Sequence, residues 1–324
     1  MTKDEVLNVL NDNTDRFVSG AELARRLGVS RTAVWKGIEQ LRSDGYEIES
    51  VTNKGYRLSS RSDVLSEAGV RRYLRTEGLR LRVYPTVTST NTLLKALAAE
   101  GEPEGLVLLA GEQTAGRGRM GRSFYSPAGT GVYMSLLLRP KRLAAEVTGV
   151  TACAAVAVAE AIEAVTGRPT EIKWVNDVLL DGKKVCGILT EASMDWESGM
   201  MNYLVVGIGV NAVLPAGGFP EELRDLVGAV APAGEIPDLR CRLAAEILDR
   251  MMAYYPRMED ESVYTAYKRR SLVLGKPVNL LSPGREPVPA EVLDIRRDFS
   301  LLVRLADGTV KTVNSGEVSV RVRA

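Results

Sequence analysis

The sequence predicts a multidomain α+β protein, and three observations lead to this fold class. Apolar residues recur at helical spacing through the first sixty residues, short strands alternate with helices in the middle, and mainly short strands follow residue 272. With 324 residues the chain is long enough for two or three domains. We therefore predict domains over residues 1–63, 64–270 and 271–324.

Composition restricts the class of protein before any motif is considered. Hydrophobic residues make up 45% of the chain and charged residues 26%, as in ordinary soluble globular proteins. Because 42 basic residues balance 41 acidic ones, any nucleic-acid surface has to be a local patch in the N-terminal quarter. The chain has no apolar run near 20 residues and its amino terminus lacks a signal-peptide layout, so we expect a cytoplasmic protein without a membrane segment.

Cysteine and histidine usage excludes several kinds of site. The three cysteines, Cys153, Cys186 and Cys241, are scattered, and the chain has no histidine. Mixed Cys/His zinc sites, a disulfide framework and catalysis by Ser-His or Cys-His pairs are therefore excluded. We expect reduced thiols, with Cys186 a small buried hydrophobe rather than a redox sensor.

The first sixty residues have the pattern of a winged helix-turn-helix. Residues 5–11 show helical spacing, and Ser19 opens a Ser-x-x-Glu capping box before a second helix. After a break at Gly28, Ser30 can cap a third helix, whose apolar face carries Val34, Ile38 and Leu41. The turn-rich residues 52–55, flanked by short apolar segments, predict a hairpin wing.

This layout predicts DNA binding, with the third helix in the major groove. The predicted DNA contacts are the polar and basic residues near that helix and the wing, namely Ser30, Arg31, Thr32, Lys36, Lys54 and Arg57. Trp35 is predicted to belong to the domain core, because aromatic side chains are more often buried than in contact with bases. The alternative is a protein-interaction module of the same fold.

The Gly/Arg loop, residues 111–122, is the chemically most informative stretch. Its three arginines in six residues supply planar donors for phosphate or carboxylate, and its glycines allow tight turns. The glycines at 116, 118 and 121 formally match the dinucleotide fingerprint, but Pro127 and two nearby glycines predict continued loop where that fingerprint needs a helix. An anion-binding loop and a flexible basic connector remain equal alternatives on these residues alone.

The elements around this loop predict an α+β domain with a mixed, mainly antiparallel sheet. Strands at 106–110 and 132–138 bracket the loop, an alanine-rich helix spans 147–165, and Asp181-Gly182 marks a hairpin turn between further strands. Ser89 or Thr90 caps a helix or binds a polar ligand, with even odds.

The flanks of this domain complete the prediction. Residues 59–63 form a linker, and two helices at 237–254 and 259–270 close the central domain. Short strands from 278 to 322, with turns at 283–284 and 307–308, predict a C-terminal β-barrel of SH3-like size without site residues of its own.

At this point the chain resembles the biotin protein ligases, and its N-terminal domain makes it similar to the bifunctional ligase/biotin operon repressors. The resemblance rests on five motifs in family order: Ser89-Thr90-Asn91, Gln113 with residues 116–122, Lys173-Trp174-Val175-Asn176-Asp177, residues 184–191, and residues 207–211. Two positions depart from the family pattern, Val175 where proline is usual and Met120 where arginine is frequent.

The resemblance implies that biotin and ATP form biotinyl-5′-AMP and pyrophosphate with Mg²⁺, after which a lysine of a biotin carboxyl carrier protein accepts biotin. It implies as biotin-binding residues Ser89, Thr90, Asn91, Gln113, Gly116, Arg117, Gly118, Arg119, Lys184, Gly187 and Gly209. For ATP it implies Arg119, Arg122, Lys173, Trp174, Asn176, Asp177 and Asn211, with Asp177 also a candidate Mg²⁺ ligand. Lys184 and Arg119 would be catalytic, stabilising charge at the α-phosphate.

The same resemblance implies a ligase domain in the centre and a repressor that uses the adenylate as corepressor. Such a protein would bind operator DNA of biotin genes as a homodimer. Two alternatives remain, a biotin-sensing transcription factor without turnover and a lipoate ligase. Pyrophosphate release would separate the first from a ligase, and competition of biotin against lipoate would test the second.

Overall fold

The N-terminal part of the computed structural model is a helix-turn-helix followed by a two-stranded wing. Over the whole chain the structure describes residues 2–59, 63–143, 149–282, 285–314 and 319–322. The N-terminal elements are α1 (Thr2–Asn11), α2 (Gly20–Leu27), α3 (Arg31–Ser43), β1 (Ile48–Val51) and β2 (Gly55–Leu58). Ser19 and Ser30 cap α2 and α3 by accepting from the amides of Glu22 and Ala33, as predicted.

One face of α3 builds the core of this part, and the neighbouring face does not. Val34, Ile38 and Leu41 are buried together, as the apolar spacing predicts. The prediction that Trp35 joins this core is wrong, since 53% of its surface is exposed. One step along a helix turns the side chain by about 100°, which carries Trp35 off the apolar stripe.

The central part is built on one seven-stranded mixed sheet. Across the sheet the strands are β3 (Arg80–Tyr84), β4 (Leu106–Ala110), β5 (Gly131–Leu138), β9 (Met201–Asn211), β8 (Lys183–Met194), β7 (Asp177–Leu180) and β6 (Glu171–Lys173). β3 and β4 are parallel, whereas the other neighbouring pairs are antiparallel. Asp181 and Gly182 both have positive φ, as a tight hairpin turn between β7 and β8 requires. The predicted antiparallel-rich α+β domain agrees with this sheet.

Helices cover both faces of the sheet. α5 (Thr90–Ala99) packs on the face to which Leu106 and Leu108 point, whereas Val107 and Leu109 belong to the larger cluster on the other face. That cluster contains α6 (Val150–Thr166) and α7 (Leu239–Tyr254), with the short α4 (Glu67–Arg71) beside α7. The small side chains of alanine-rich α6 allow it to lie close to the sheet. The predicted start of this helix, at 147, lies outside the described residues.

After α8 (Glu261–Arg269) the chain forms a five-stranded antiparallel sheet. Its order is β13 (Val310–Val313), β12 (Leu301–Leu305), β11 (Val288–Ile295), β10 (Pro277–Leu281) and β14 (Ser319–Val322). No ladder joins β13 to β14 within the described ranges, so the sheet is open there and the predicted barrel is not confirmed. The predicted turn at 283–284 and the predicted strand start at 318 lie outside these ranges.

Specific contacts join the three parts of the chain. The Asp63 carboxylate accepts from the backbone amide and the Nε of Arg240 on α7, at 3.0 and 3.1 Å. The Trp174 indole donates to the carbonyl of Phe299, 2.8 Å away in the turn between β11 and β12. The predicted linker lies mostly outside the described residues, at 60–62. None of the helices that the structure describes is long and apolar enough to cross a bilayer.

Candidate functional site

One cleft, with a cavity volume of about 170 Å³, gathers most of the residues predicted to bind ligand. It lies between the start of α5, the Gly/Arg loop, the turn joining β6 to β7, and strands β8 and β9. Its lining includes the predicted residues Ser89, Thr90, Asn91, Gln113, Arg117, Gly118, Arg119, Arg122, Lys173, Trp174, Asn176, Asp177, Lys184, Gly187 and Gly209. The predicted residues Gly116 and Asn211 do not line it.

One end of the cleft is a neutral hydrogen-bonded group, here called the polar ledge: Thr90, Asn91, Gln113 and Ser135. The amide and hydroxyl of Thr90 donate to Gln113 Oε1 at 2.9 and 3.1 Å. The buried Ser135 hydroxyl donates to Asn91 Oδ1 at 2.6 Å and lies 2.7 Å from Thr90 Oγ1. These hydrogen bonds therefore fix the orientation of the side chains before a ligand binds. Their amide and hydroxyl groups can exchange these bonds for hydrogen bonds to a polar ligand.

Ser89 caps α5, since its hydroxyl accepts from the Thr92 amide at 3.4 Å, and it also lines the cleft. The two interpretations of this residue are therefore compatible. Gly207 completes the ledge, because a Cβ there would lie only 2.0 Å from Asn91 Oδ1. Close approach of Asn91 to β9 thus requires glycine at this position.

Glu191 holds the polar ledge and the Gly/Arg loop together, a role that the sequence did not reveal. Its carboxylate accepts from Asn91 Nδ2 at 3.0 Å and from Lys95 Nζ at 2.7 Å, and lies 3.5 Å from an Arg117 guanidinium nitrogen. Burial alone raises the pKa of Glu191, but the hydrogen bonds from Lys95 and Asn91 outweigh it and hold the pKa below its usual range. A charged Glu191 is thus the favoured form.

The other end of the cleft is charged and is here called the charged corner: Arg119, Asn176, Asp177 and Lys184. Lys184 Nζ lies 2.7 Å from Asp177 Oδ1, and Arg119 donates to Asn176 Oδ1 at 2.9 Å. Asn176 in turn donates to Asp177 Oδ1 at 3.2 Å and to the Ile188 carbonyl at 3.0 Å. Burial lowers the pKa of the Arg119 guanidinium. A guanidinium nevertheless stays protonated at neutral pH.

The turn between β6 and β7 positions Asn176 and Asp177. It contains a cis peptide bond between Trp174 and Val175, the second being the position where the resembled family usually has proline. Trp174 is buried and fixed by its hydrogen bond to the Phe299 carbonyl in the turn between β11 and β12.

The Gly/Arg loop is folded, which favours the anion-binding interpretation over a loose connector. The amides of Thr114 and Ala115 donate to the carbonyls of Val87 and Thr88, at 3.0 and 2.8 Å. Within the loop the Gly118 amide donates to the Arg122 carbonyl at 2.7 Å. A single short 3-10 turn at Arg119–Gly121 follows the second glycine, and extended chain follows the third. The rejection of a dinucleotide-binding helix at this point is therefore correct.

Gly116 contributes to this loop rather than to the cleft surface. A Cβ at Gly116 would lie 2.4 Å from the Phe124 carbonyl and 2.7 Å from Ser126 Oγ. Asn211 is buried at the end of β9, and its carbonyl accepts from the Val230 amide at 2.9 Å. The ligand-binding roles of both residues stay predictions.

Phe124 is the main lining residue that sequence reasoning missed. Its ring lies against β8 and β9, so that a Cβ at Gly209 would be 2.5 Å and one at Gly187 would be 3.2 Å from ring atoms. These glycines therefore make room for an aromatic ring in the structure. An aromatic residue two positions after the last loop arginine was the available signal.

Further lining residues had no predicted ligand contact, although five of them lie within the motifs at 116–122, 184–191 and 207–211. They are Met120, Ser123, Met134, Ile188, Leu189, Gly207, Ile208 and Leu281. Leu281 belongs to β10, so the C-terminal sheet, to which no site residue was assigned, contributes to the wall of the cleft.

Two of the six predicted DNA contacts, Arg31 and Thr32, line a separate surface, here called the recognition groove. Trp35 of α3 and residues 50–53 of the wing line it as well. Lys36 and Lys54 are exposed but do not line this groove, and Ser30 serves as the N-cap of α3. Arg57 is engaged within the domain. Its guanidinium lies 2.7 Å from a Glu49 carboxylate oxygen and 4.6 Å from the centre of the Phe17 ring.

Cys186 is buried beside the cleft, as predicted. Burial raises its pKa, so the reactive thiolate is disfavoured. Among the described residues no three His, Cys, Asp or Glu side chains converge on a metal position. A metal at this site would therefore need ligands beyond the protein's carboxylates.

Comparison with known families matches all three parts of the chain. The family described as "Biotin/lipoate A/B protein ligase family" matches residues 83–211. An "HTH domain" family matches residues 2–57, and the "Biotin protein ligase C terminal domain" family matches residues 273–321.

Individual relatives agree with these matches. The bifunctional ligase/repressor BirA of Bacillus subtilis is 42% identical over 71% of this chain and 70% of its own length. BirA of Escherichia coli is 28% identical over 94% of this chain and 93% of its own length. The structure of biotin protein ligase from Aquifex aeolicus in complex with biotin and ATP superimposes with a TM-score of 0.62, at 29% identity, over 75% of this chain and 99% of that one. The chain belongs to the family of the bifunctional biotin protein ligase/repressors.

Proposed function

We propose that this protein condenses biotin with ATP to biotinyl-5′-AMP, transfers biotin to a lysine of a biotin carboxyl carrier protein, and represses biotin genes. The observation that carries the ligase assignment is the pairing, in one cleft, of a neutral polar ledge with a charged corner. Biotin has the same division, since a neutral ureido ring lies at one end and a carboxylate at the other. The cleft offers hydrogen bonds to the first and cations to the second.

At the ureido end, the polar ledge supplies both donors and acceptors. The Thr90 hydroxyl and the Asn91 and Gln113 amides can each pair with an N–H or a carbonyl of a cyclic urea. Because their present partners are one another, ligand binding exchanges hydrogen bonds rather than creating buried unpaired groups.

At the charged corner the first step is nucleophilic attack by the biotin carboxylate on the α-phosphorus of ATP. A bond forms between carboxylate oxygen and phosphorus, and the bond from phosphorus to the pyrophosphate oxygen breaks. A carboxylate is already a nucleophile at neutral pH, so the step needs alignment of two anions and neutralisation of charge rather than a histidine base. Lys184 and Arg119 provide that positive charge, with Arg122 at the rim of the same cleft.

The second step consumes the adenylate. The neutral amine of the acceptor lysine attacks the biotinyl carbonyl, a C–N bond forms, AMP leaves with the electrons of the C–O bond, and the nitrogen releases one proton to solvent. Biotin is held by the polar ledge in both steps. No covalent intermediate with the protein is required.

A Mg²⁺ ion fits this site only together with the nucleotide. Asp177 is the carboxylate among the lining residues, and Mg²⁺ commonly takes one or two carboxylates plus substrate phosphates. Asp177 is therefore the proposed protein ligand, and the ion would supply further neutralisation of phosphate charge.

Pyrophosphate release on mixing protein, biotin and MgATP tests the ligase assignment. We expect release that requires biotin, and labelling of a biotin acceptor domain when one is added. Binding of biotin without pyrophosphate release would instead support the sensor without turnover. Replacing biotin by lipoate tests whether the protein is a lipoate ligase. A lipoate ligase would release pyrophosphate with lipoate and would be inhibited only weakly by biotin.

The repressor half rests on the helix-turn-helix domain and the relatives named as repressors. We propose that the adenylate is the corepressor and that it favours a homodimer on operator DNA. A fluorescence titration with the promoter of biotin genes should show tighter binding when biotin and MgATP are present. Equal affinity in both conditions would remove the corepressor role while leaving the ligase unaffected.

Several finer assignments belong to the same proposal. We place the domain boundaries at residues 63–64 and 270–271, supported by the three separate family matches. A closed SH3-like barrel and a cytoplasmic location also stay proposals. Limited proteolysis that cuts first near these boundaries would support the division.

A further inference from the structure

The recognition groove contains a large apolar side chain that is not packed in the core of the N-terminal part. Trp35 lies on the second turn of α3 with 53% of its surface exposed, one turn after Arg31. Across the groove, Val51 of the wing is 40% exposed. Exposed tryptophan on an otherwise polar helix face is characteristic of contact surfaces, because indole combines a wide apolar face with a single polar edge.

Charge alone is a weak basis for DNA recognition in this domain. Residues 1–63 carry equal numbers of basic and acidic side chains. Several of the basic ones are also neutralised within the domain, by the pairs Arg16–Glu22, Arg42–Glu39 and Arg57–Glu49. Phosphate contacts supply affinity without sequence information, so direct reading of base edges has to come from residues that line the groove.

We propose that Trp35 determines operator specificity by contacting thymine 5-methyl groups in the major groove. This inference rests on the proposed repressor function. The first turns of a recognition helix meet base edges, and the thymine methyl is the apolar group displayed on the major-groove edges of the bases. The apolar face of Trp35 suits that group, whereas Arg31 and Thr32 beside it suit polar base edges or phosphates.

Three features of the structure favour DNA as the occupant. Arg31 and Thr32 share the groove with Trp35 and supply polar donors. Lys36 is exposed on the next position of the helix. The wing closes the other side of the groove, as expected for a module that straddles a nucleic-acid strand.

The test uses the full-length protein with biotin and MgATP, and a duplex selected by it from a random pool. Each thymine of that duplex is replaced in turn by deoxyuridine, which removes only the methyl group. We expect one or two positions at which wild-type affinity falls about fourfold, the value of one buried methyl. Trp35→Ala should bind the parent duplex about 10- to 100-fold more weakly and lose the uridine effect at those positions.

Matched variants on the same helix separate this contact from general effects. Gln40→Ala, exposed further along α3, should leave both affinity and the uridine effect unchanged. Lys36→Ala should lower the salt dependence of binding while keeping the uridine effect. Pyrophosphate release by Trp35→Ala should equal that of wild type, which shows that the ligase part is folded, and an unchanged circular dichroism spectrum and thermal unfolding should show the same of the N-terminal part.

The outcomes distinguish failure of the inference from failure of the repressor function. If wild type selects no duplex, the repressor function is wrong and this inference falls with it. If wild type selects a duplex and Trp35→Ala binds that duplex as tightly as wild type, the repressor function stands and Trp35 does not read thymine. The same conclusion follows if Trp35→Ala binds the selected duplex and random duplexes more weakly by the same factor.

Discussion

In the ligase cleft the functional side chains are bonded to one another, whereas in the recognition groove they face solvent. Asn91, Gln113 and Lys184 each have partners within 3.1 Å inside the protein. Trp35 is more than half exposed. The cleft is therefore arranged before its ligands arrive, because its ligands are small and buried polar groups need partners at all times. The recognition groove contacts the large, partly hydrated surface of DNA, so its side chains can remain in water until DNA binds.

Because the side chains of the cleft are paired with one another, we expect a single substitution there to disturb the partner of the removed group as well. The largest effect is expected for Lys184→Ala, which removes the ammonium proposed to stabilise charge and leaves Asp177 without its 2.7 Å partner. Pyrophosphate release should fall by roughly 10²- to 10³-fold, as for loss of one donor to a developing charge. Lys183→Ala is the matched control, since the Lys183 ammonium donates to the Arg224 carbonyl outside the cleft. Similar rates for both variants would contradict the role of Lys184.

The next largest effect is expected when the polar ledge is displaced. Gly207→Ala places a methyl group 2.0 Å from Asn91 Oδ1, so Asn91 must move away from Ser135. We expect the KM for biotin to rise about tenfold or more and stability to fall by about 1–3 kcal/mol. Gly217→Ala, where a Cβ meets nothing within 4 Å, should leave both quantities unchanged. An unaltered KM in Gly207→Ala would show that the ledge does not hold biotin.

A smaller, pH-dependent effect is expected at Glu191. Its pKa in the folded protein is below the ordinary value of 4.5, so its charge stabilises the fold above about pH 4.5 and that contribution is lost as the pH falls through the lowered pKa. Glu191→Gln should therefore reduce the free energy of unfolding by about 1–2 kcal/mol at pH 7, and the difference from wild type should shrink at pH 3. Glu197→Gln, at an exposed turn, is the control. A difference that persists unchanged at pH 3 would rule out a charge effect.

The smallest effect is expected from thiol reagents. Burial raises the pKa of Cys153, Cys186 and Cys241, and none of them is solvent-exposed. Iodoacetamide at pH 8 should leave pyrophosphate release unchanged and label all three thiols only after denaturation, as intact mass would show. Rapid loss of activity with labelling of Cys186 would identify a cleft more open than the structure indicates.

Elements set by local pattern were predictable from the sequence. The cap at Ser30, the turn at Asp181 and the strand Leu106–Ala110 depend on neighbouring residues and occur where expected. The motif residues of the cleft were named through the resemblance to the biotin protein ligases, because the five motifs occur in family order; the residues taken alone left their roles open.

Residues defined by distant contacts were not predictable. Glu191 acts through α5 and the Gly/Arg loop, far from it in sequence, and Leu281 reaches the cleft from another sheet. Trp35 was misplaced because the frequency of aromatic burial says nothing about which side of a helix faces the core. The direction of a single side chain depends on the packing of all three N-terminal helices.

Leu281 on β10 contributes to the wall of the cleft, and the carbonyl of Phe299, in the turn between β11 and β12, accepts from Trp174. A chain emerging from the ribosome has its DNA-binding helices in place long before these residues are made. The wall of the cleft is therefore incomplete until the residues from β10 to the turn after β11 have been made and folded. A chain truncated before β10 would keep the helix-turn-helix and the wing but lack this part of the cleft wall.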